Sequence, residues 1–368
     1  MRKAVGNWLL SLATFALLIL GLLGAELVLR VASPDYLAEL YAAESSNVYS
    51  ETYGWRPRAG FEGTEDGQKL TINRRGYRGT EHPYEKTPGR TRVVIVGDSI
   101  SFGESVADER TFAALLESRN PKYEVVNLSV GGYGTDQELI MLQREGLRYH
   151  PDVVILGFCL FSDFTDNTLP SALFDARQPK PYFTWDGQKL VEHDEHLRLS
   201  PPRKVAQWLF DRSFLYNRVR VMLGMKRPPR QPGVWADRIA AVMRNLPPAA
   251  ELTFHLIRRM RDLSRDAGAK FLVLIHPDRF AYSHRSRLLR QFCFSPLLED
   301  IPIVELGARY RAAGLDFDAF AGDEPGHLTE RGHEVTAEVL ETVLSGAAPP
   351  DWDYRSTCRA SFPDIPPR

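Results

Sequence analysis

Two stretches far apart in the chain carry side chains that together could run nucleophilic chemistry. The first is Gly97-Asp98-Ser99, at the end of the apolar run Val93-Val94-Ile95-Val96. The second is Asp323-Glu324-Pro325-Gly326-His327-Leu328, where two adjacent acids stand just ahead of a histidine. A serine hydroxyl becomes a nucleophile when an imidazole within hydrogen-bond reach takes its proton and an acid holds that imidazole in the right tautomer. Ser99, His327 and either Glu324 or Asp323 supply those three types, and a tight turn at Pro325-Gly326 can bring Glu324 beside His327. His150 and His276 precede prolines and His333 falls within a helical pattern, so His327 is the best placed of the four. Gly-Asp-Ser alone is common in ordinary turns. The catalytic reading therefore depends on the elements around it.

Four β-branched residues running into the Gly-Asp-Ser turn read as a central strand buried on both faces, and ligand chemistry in open α/β sheets gathers where such strands end. A helix pattern follows from Thr111 to Ser118, then a strand from Tyr123 to Leu128, a Gly131-Gly132-Tyr133-Gly134 turn, and a helix from Gln137 to Arg148. A third strand spans Val153 to Gly157. After an interruption the rhythm resumes with a helix from about Ala249 to Ala267, strands Lys270 to Ile275 and Pro302 to Leu306, and a last helix from Glu330 to Leu344. Alternation of this kind implies right-handed βαβ units and a parallel sheet.

Around this core the chain divides into residues 1–30, a cytoplasmic start and apolar helix; 31–90, an extended arm whose arginines read as solvated surface, with lining of the site entrance as the alternative; 91–348, the α/β domain; and a Pro-rich tail, 349–368. Residues 164–248 read as an insertion containing a hairpin that turns at Asp186-Gly187 and a helical piece from Val205 to Leu223.

These blocks in this order resemble the SGNH hydrolases, or GDSL-type esterases, over residues 53 to 345, and in particular bacterial members with a membrane anchor. The resemblance implies a three-layer α/β/α sandwich with a central parallel sheet of flavodoxin-like type, with Ser99 as nucleophile and His327 as its base. The second block falls on Asn127 to Gly134, making the Gly132 N–H an oxyanion donor beside that of Ser99. The third block of the family ends in Gly-x-Asn-Asp or Gly-Asn-Asp, but here Ser162 stands where the asparagine is expected, within Leu160-Phe161-Ser162-Asp163. The triad acid is Glu324 where Asp is usual, with Asp323 next to it. The implied reaction is cleavage of an O-acyl ester, with O-acetyl on a glycan as a candidate, and no metal or cofactor is required. The implied partner is an ester-bearing small molecule or glycan. Two alternatives share the fold: an O-acyltransferase acting on a polysaccharide, and a non-catalytic glycan-binding or scaffolding protein with a degenerate oxyanion hole.

From Ala4 to Ala25 the sequence has no charge, and 22 residues at about 1.5 Å each span roughly 33 Å, enough for a hydrocarbon core near 30 Å. Arg2 and Lys3 precede this run, so the positive-inside rule keeps the amino end cytoplasmic and sends the rest to the periplasm or cell exterior. The run exceeds the 7 to 15 apolar residues of a signal-peptide core, which favours an uncleaved anchor. With 46 Lys and Arg against 47 Asp and Glu, the net charge of −1 gives no broad electrostatic case for nucleic acid. Three cysteines outside a reducing compartment suggest a Cys293–Cys358 disulfide and a free Cys159.

Overall fold

The structure, a computed structural model, describes residues 2–37, 39–40, 46–65, 67–225, 234–279, 287–322, 326–348 and 352. Asp323, Glu324 and Cys358 lie outside the described residues. Two compact units emerge: Met1–Val48 with Leu199–Pro229, and Tyr49–Arg198 with Arg230–Arg368.

In the larger unit, short strands β1 (Asn47–Ser50, which begins just ahead of it) and β2 (Gly54–Pro57) precede a hairpin of β3 (Glu62–Glu65) and β4 (Gln68–Thr71). Then come β5 (Thr91–Gly97), β6 (Tyr123–Asn127) and β7 (Val153–Cys159). Two small antiparallel pairs follow, β8 (Ser171–Ala172) with β9 (Asp175–Pro179) and β10 (Tyr182–Trp185) with β11 (Leu190–His193). The sheet is completed by β12 (Lys270–His276) and β13 (Ile303–Glu305).

The central sheet runs β13-β12-β7-β5-β6, all parallel. In chain order this is 2-1-3-4-5, the flavodoxin-like arrangement, whose crossovers change direction between the first and third strands. Side-chain parity explains the continuous apolar strands. Val94, Val96, Val154, Leu156, Val273 and Ile275 pack into one core, whereas Val93, Ile95, Val153, Ile155, Leu272 and Leu274 pack into the other. The first layer is completed by helices Thr135–Arg144 and Leu246–Asp266, the second by Phe112–Arg119 and Glu330–Leu344.

The arm from Tyr49 onward is tied to this body by two buried arginines, Arg92 on β5 and Arg78 within the arm, and Arg78 corrects the reading of the arm's arginines as solvated surface. Arg92, fully buried, pairs with Glu124 at 2.7 Å and donates to the carbonyls of Pro83, Tyr84 and Tyr149. Arg78, only 5% exposed, pairs with Asp108 at 2.8 Å and donates to the Gly103 and Val106 carbonyls. Guanidinium groups suit such sites because several fixed donors can satisfy several carbonyls at once. Cys293 is disulfide-bonded and Cys159 is a buried free thiol.

Close packing beneath the nucleophile gives a test. Gly157 on β7 faces Ser101, and a Cβ there would overlap Ser101 Oγ and lie 3.1 Å from Ser101 Cβ. Gly157→Ala is expected to cost about 1–3 kcal/mol by overpacking, and Ser101→Ala to recover part of it. Chemical denaturation of the two single variants and the double variant measures this, and additive losses would refute the shared contact.

Candidate active site

Ser99 stands at the carboxyl end of β5, beside β7, where the sheet order reverses. The chain turns there because Asp98 caps the short helix Ser99–Phe102, its carboxylate accepting the Ile100 N–H at 3.0 Å. Gly103 then closes the turn in the left-handed region, at φ 91°. Ser99 is half-buried, whereas Ile100, Ser101 and Phe102 are buried.

His327 reaches this serine from the far end of the chain. An antiparallel bridge between Ala321 and Leu328 closes the loop that carries it, with Gly322 N–H donating to the His327 carbonyl at 2.8 Å. Thr329 then caps the helix Glu330–Leu344 by accepting the Gly332 N–H. The result is a His327 Nε2 to Ser99 Oγ distance of 2.9 Å, within hydrogen-bond reach. The other buried histidines are structural. His276 faces Ser101 Oγ at 3.2 Å, and His333 Nδ1 accepts the Phe112 N–H at 3.1 Å. Burial pushes both down to about 3, so they stay neutral at ordinary pH. His150 occupies a left-handed turn position ahead of Pro151 and is exposed.

The glycine turn after β6 lies beside the serine. A Cβ on Gly131 would run into the Glu104 carboxylate and sit 3.9 Å from Ser99 Cβ, so the backbone approaches closely only because side chains are missing there. Gly132 takes φ 77°, which L-residues adopt poorly. Trp55 fixes this turn from the arm: its Nε1 donates to the Gly131 carbonyl at 3.0 Å, while Tyr133 Oη donates to the Trp55 carbonyl at 2.6 Å. Gln137 Nε2 adds a bond to the Tyr53 carbonyl at 2.7 Å.

Ser162 is buried, and its hydroxyl is turned to Asp163 Oδ1 at 3.4 Å. Asp163 accepts the Cys159 N–H at 2.9 Å, which folds the chain back after β7. Two features of the site carried no sequence signal. Glu104 places its carboxylate 3.3 Å from His327 Nε2, on the nitrogen that faces Ser99. Behind the serine, Asp98, Asp136, Glu138, Asp163 and Asp166 are all buried, with Lys180 as a fully buried cation paired to Asp136. Burial raises all five carboxyls, Glu138 and Asp163 well above the usual range and Asp166 to about 8. The five carboxyls fall between residues 98 and 166, on three separate segments. Among the described residues no cluster of His, Cys, Asp and Glu could hold a metal ion.

Asp166 makes the electrostatic cost measurable. Its folded-state value of about 8 lies above the ordinary 3.8, so the folded protein holds a proton that the unfolded chain releases as pH rises through that window. Stability from this group is full below about pH 4 and lost as pH approaches 8, by about 1.4 kcal/mol per pH unit. Asp166→Asn should therefore flatten the fall in stability between pH 4 and 8, read by denaturant titration at several pH values. An unchanged slope would show that Asp166 is ionised in the folded state.

Neither a family model nor a curated protein matches the sequence. Solved structures do. The chain is similar to TesA, at 14% identity over 70% of this chain and 100% of that one, with a TM-score of 0.39. It is similar also to a GDSL-like lipase from Bacteroides thetaiotaomicron, at 12% identity over 70% and 89% of the two chains and a TM-score of 0.37. A third similar structure is the acetyl xylan esterase AlAXEase, at 12% identity over 68% and 98%, with a TM-score of 0.39.

Proposed function

We propose that the chain is a membrane-anchored serine esterase of SGNH type, with Ser99 as nucleophile and His327 as general base. The observation that carries this reading is the 2.9 Å approach of His327 Nε2 to Ser99 Oγ at the reversal point of the parallel sheet. Ser99 Oγ attacks the ester carbonyl while its proton passes to His327 Nε2. The tetrahedral intermediate collapses, and the leaving alcohol takes that proton. Water, deprotonated by His327, then releases the acyl group from Ser99 and restores the resting state. Glu324 or Asp323 orients His327. The oxyanion is met by the N–H groups of Ser99 and Gly132, a turn held in place by Trp55.

Ser162 serves as the third oxyanion donor once its hydroxyl turns from Asp163. The helix Arg2–Ala32, which contains a span of mean hydropathy 2.3 from Leu10 to Ala32, anchors the chain with its amino end cytoplasmic and the esterase domain in the periplasm or outside the cell. The substrate class is an O-acyl ester, with an O-acetylated glycan as the candidate. Transfer of the acyl group to a sugar hydroxyl would use the same acyl-serine with a different acceptor.

Ser99→Ala is expected to abolish covalent labelling by a fluorophosphonate while leaving the unfolding midpoint unchanged, because only a half-exposed hydroxyl is lost. Equal labelling of wild type and variant would refute the nucleophile. A panel of short-chain and sugar esters, run with and without acceptor sugars, separates hydrolysis from transfer.

Ser162→Asn should raise turnover of a short-chain aryl ester by about tenfold. A well-placed side-chain donor contributes about 2.7–4 kcal/mol, part of which the hydroxyl or a water already supplies. If Ser162→Ala matches wild type and Ser162→Asn gains nothing, position 162 takes no part in the oxyanion hole.

A further inference from the structure

The smaller unit contains an apolar surface that the esterase reading does not use. Its helices Pro201–Arg212 and Phe214–Met222, with the turn that follows the second, leave Val205, Trp208, Val219, Met222, Leu223 and Met225 exposed, with Met222 at 84% and Leu223 at 70%. Side chains of this kind at 205 and 208, and again at 219, 222 and 223, fall on one stripe of each helix. Water is a poor environment for such a stripe, and its position along the chain identifies a better one.

Glu26, near the outer end of the apolar span, is the link. Its carboxylate accepts the N–H groups of Phe214 at 3.0 Å and Leu215 at 2.9 Å and the Ser213 hydroxyl at 2.9 Å, so it caps the second helix. Arg30, paired with Glu26 at 2.8 Å, donates to the Arg212 carbonyl and lies 4.9 Å over the Phe214 ring. Tyr36 packs near Phe214, with Arg218 stacked 3.9 Å over its ring. The junction of the two helices is therefore fixed at the level of residues 26 to 36, just past the uncharged run Ala4–Ala25. The charge of the segment suits that depth. Arg203, Lys204, Arg212, Arg218 and Arg220 stand against one acid, Asp211, and Arg212 lies 5.9 Å over the Trp208 ring. Aromatic and aliphatic groups beside arginine and lysine are the composition of helices lying in the headgroup region of anionic lipid.

We propose that residues 201–225 form a monotopic membrane-interface element, with Val205, Trp208, Val219, Met222 and Leu223 inserted at the boundary of headgroups and acyl chains. This rests on the anchor reading of the amino-terminal helix. The element would hold the chain to the bilayer at a second place and restrict how the chain can turn about its single span.

The test uses the full chain in phosphatidylcholine and phosphatidylglycerol vesicles, with a nitroxide attached at Met222→Cys or, separately, at Leu17→Cys inside the span. Cys159 is buried and Cys293 is disulfide-bonded, so the introduced thiol is the reactive one. Met222 is so exposed that its replacement costs no packing. The expected result is a severalfold excess of oxygen over nickel-chelate collisions at both sites, relative to free nitroxide in buffer. Lipid-like values at 17 with water-like values at 222 overturn the interface element alone. Water-like values at 17 overturn the anchor and the element together. A 222 label shielded from both reagents and broadened by a second label assigns the face to another copy of the chain, and overturns the proposal equally.

Discussion

The approach of His327 to Ser99, residues 228 positions apart, is the constraint on which the geometry of the candidate site depends. Ser99 belongs to the turn after the first strand of the sheet and His327 to the loop before the last helix. Their 2.9 Å separation is a product of everything between them. Neither position is held by the other, because one hydrogen bond contributes only about 1 kcal/mol net. Ser99 is held by β5, clamped between β6 and β7, and by the Asp98 cap. His327 is held by the Ala321–Leu328 bridge and the Thr329 cap. The two side-chain cores on opposite faces of the sheet thus position the Ser99 and His327 side chains without touching their hydrogen bond.

The carboxylates behind the serine show what this placement costs. Five acids buried together cannot all ionise when Lys180 is the cation paired among them. Protonation relieves the repulsion, and the protonated carboxyls become hydrogen-bond donors as well as acceptors. Asp98 keeps its capping bond to Ile100 in this setting, and Asp163 the bond that folds the chain after β7. The same acids that shape the two turns beside Ser99 therefore make the protein less stable as pH rises.

Much of the fold was legible because a parallel strand covered on both faces writes itself as an unbroken apolar run. β5, β7 and β12 read directly, and the helix Glu330–Leu344 read to the residue. Capping set the limits of that legibility. The pattern from Val205 to Leu223 reads as one helix, yet it breaks at Ser213, whose hydroxyl accepts the Tyr216 N–H as a local N-cap. A serine inside an apolar pattern announces such a cap only weakly, and the remaining first-turn N–H groups are met by Glu26, 187 residues away. Arg78 was misread for a similar reason: nothing local announces that Gly103, Val106 and Asp108 will surround it. At the candidate site, Gly132 was picked out only by the family resemblance, whereas Ser99 and His327, which the structure brings within 2.9 Å of each other, were legible by type. Glu104 and Trp55 were not, since a lone acid and a lone tryptophan have no period.

Glu104 bears on how a substrate could enter. Its carboxylate lies against the position a Gly131 Cβ would take and 3.3 Å from His327 Nε2, so it shares the space where a carbonyl oxygen would approach the Gly131-Gly132 turn. Two like charges 4 Å apart at an effective dielectric of 20 repel by about 4 kcal/mol, comparable to the whole contribution of an oxyanion donor. An oxyanion at that place would therefore be opposed by an ionised Glu104 carboxylate left where it stands. The loop that carries Glu104 is not free to give way, because Arg78 binds the carbonyls of Gly103 and Val106 on either side of it and pairs with Asp108 beyond. Accommodation would fall to the Glu104 side chain, which is 27% exposed. In the proposed reaction, entry of an ester would then require the Glu104 side chain to move on a fixed backbone, and an acyl group bearing its own negative charge would be opposed by that carboxylate.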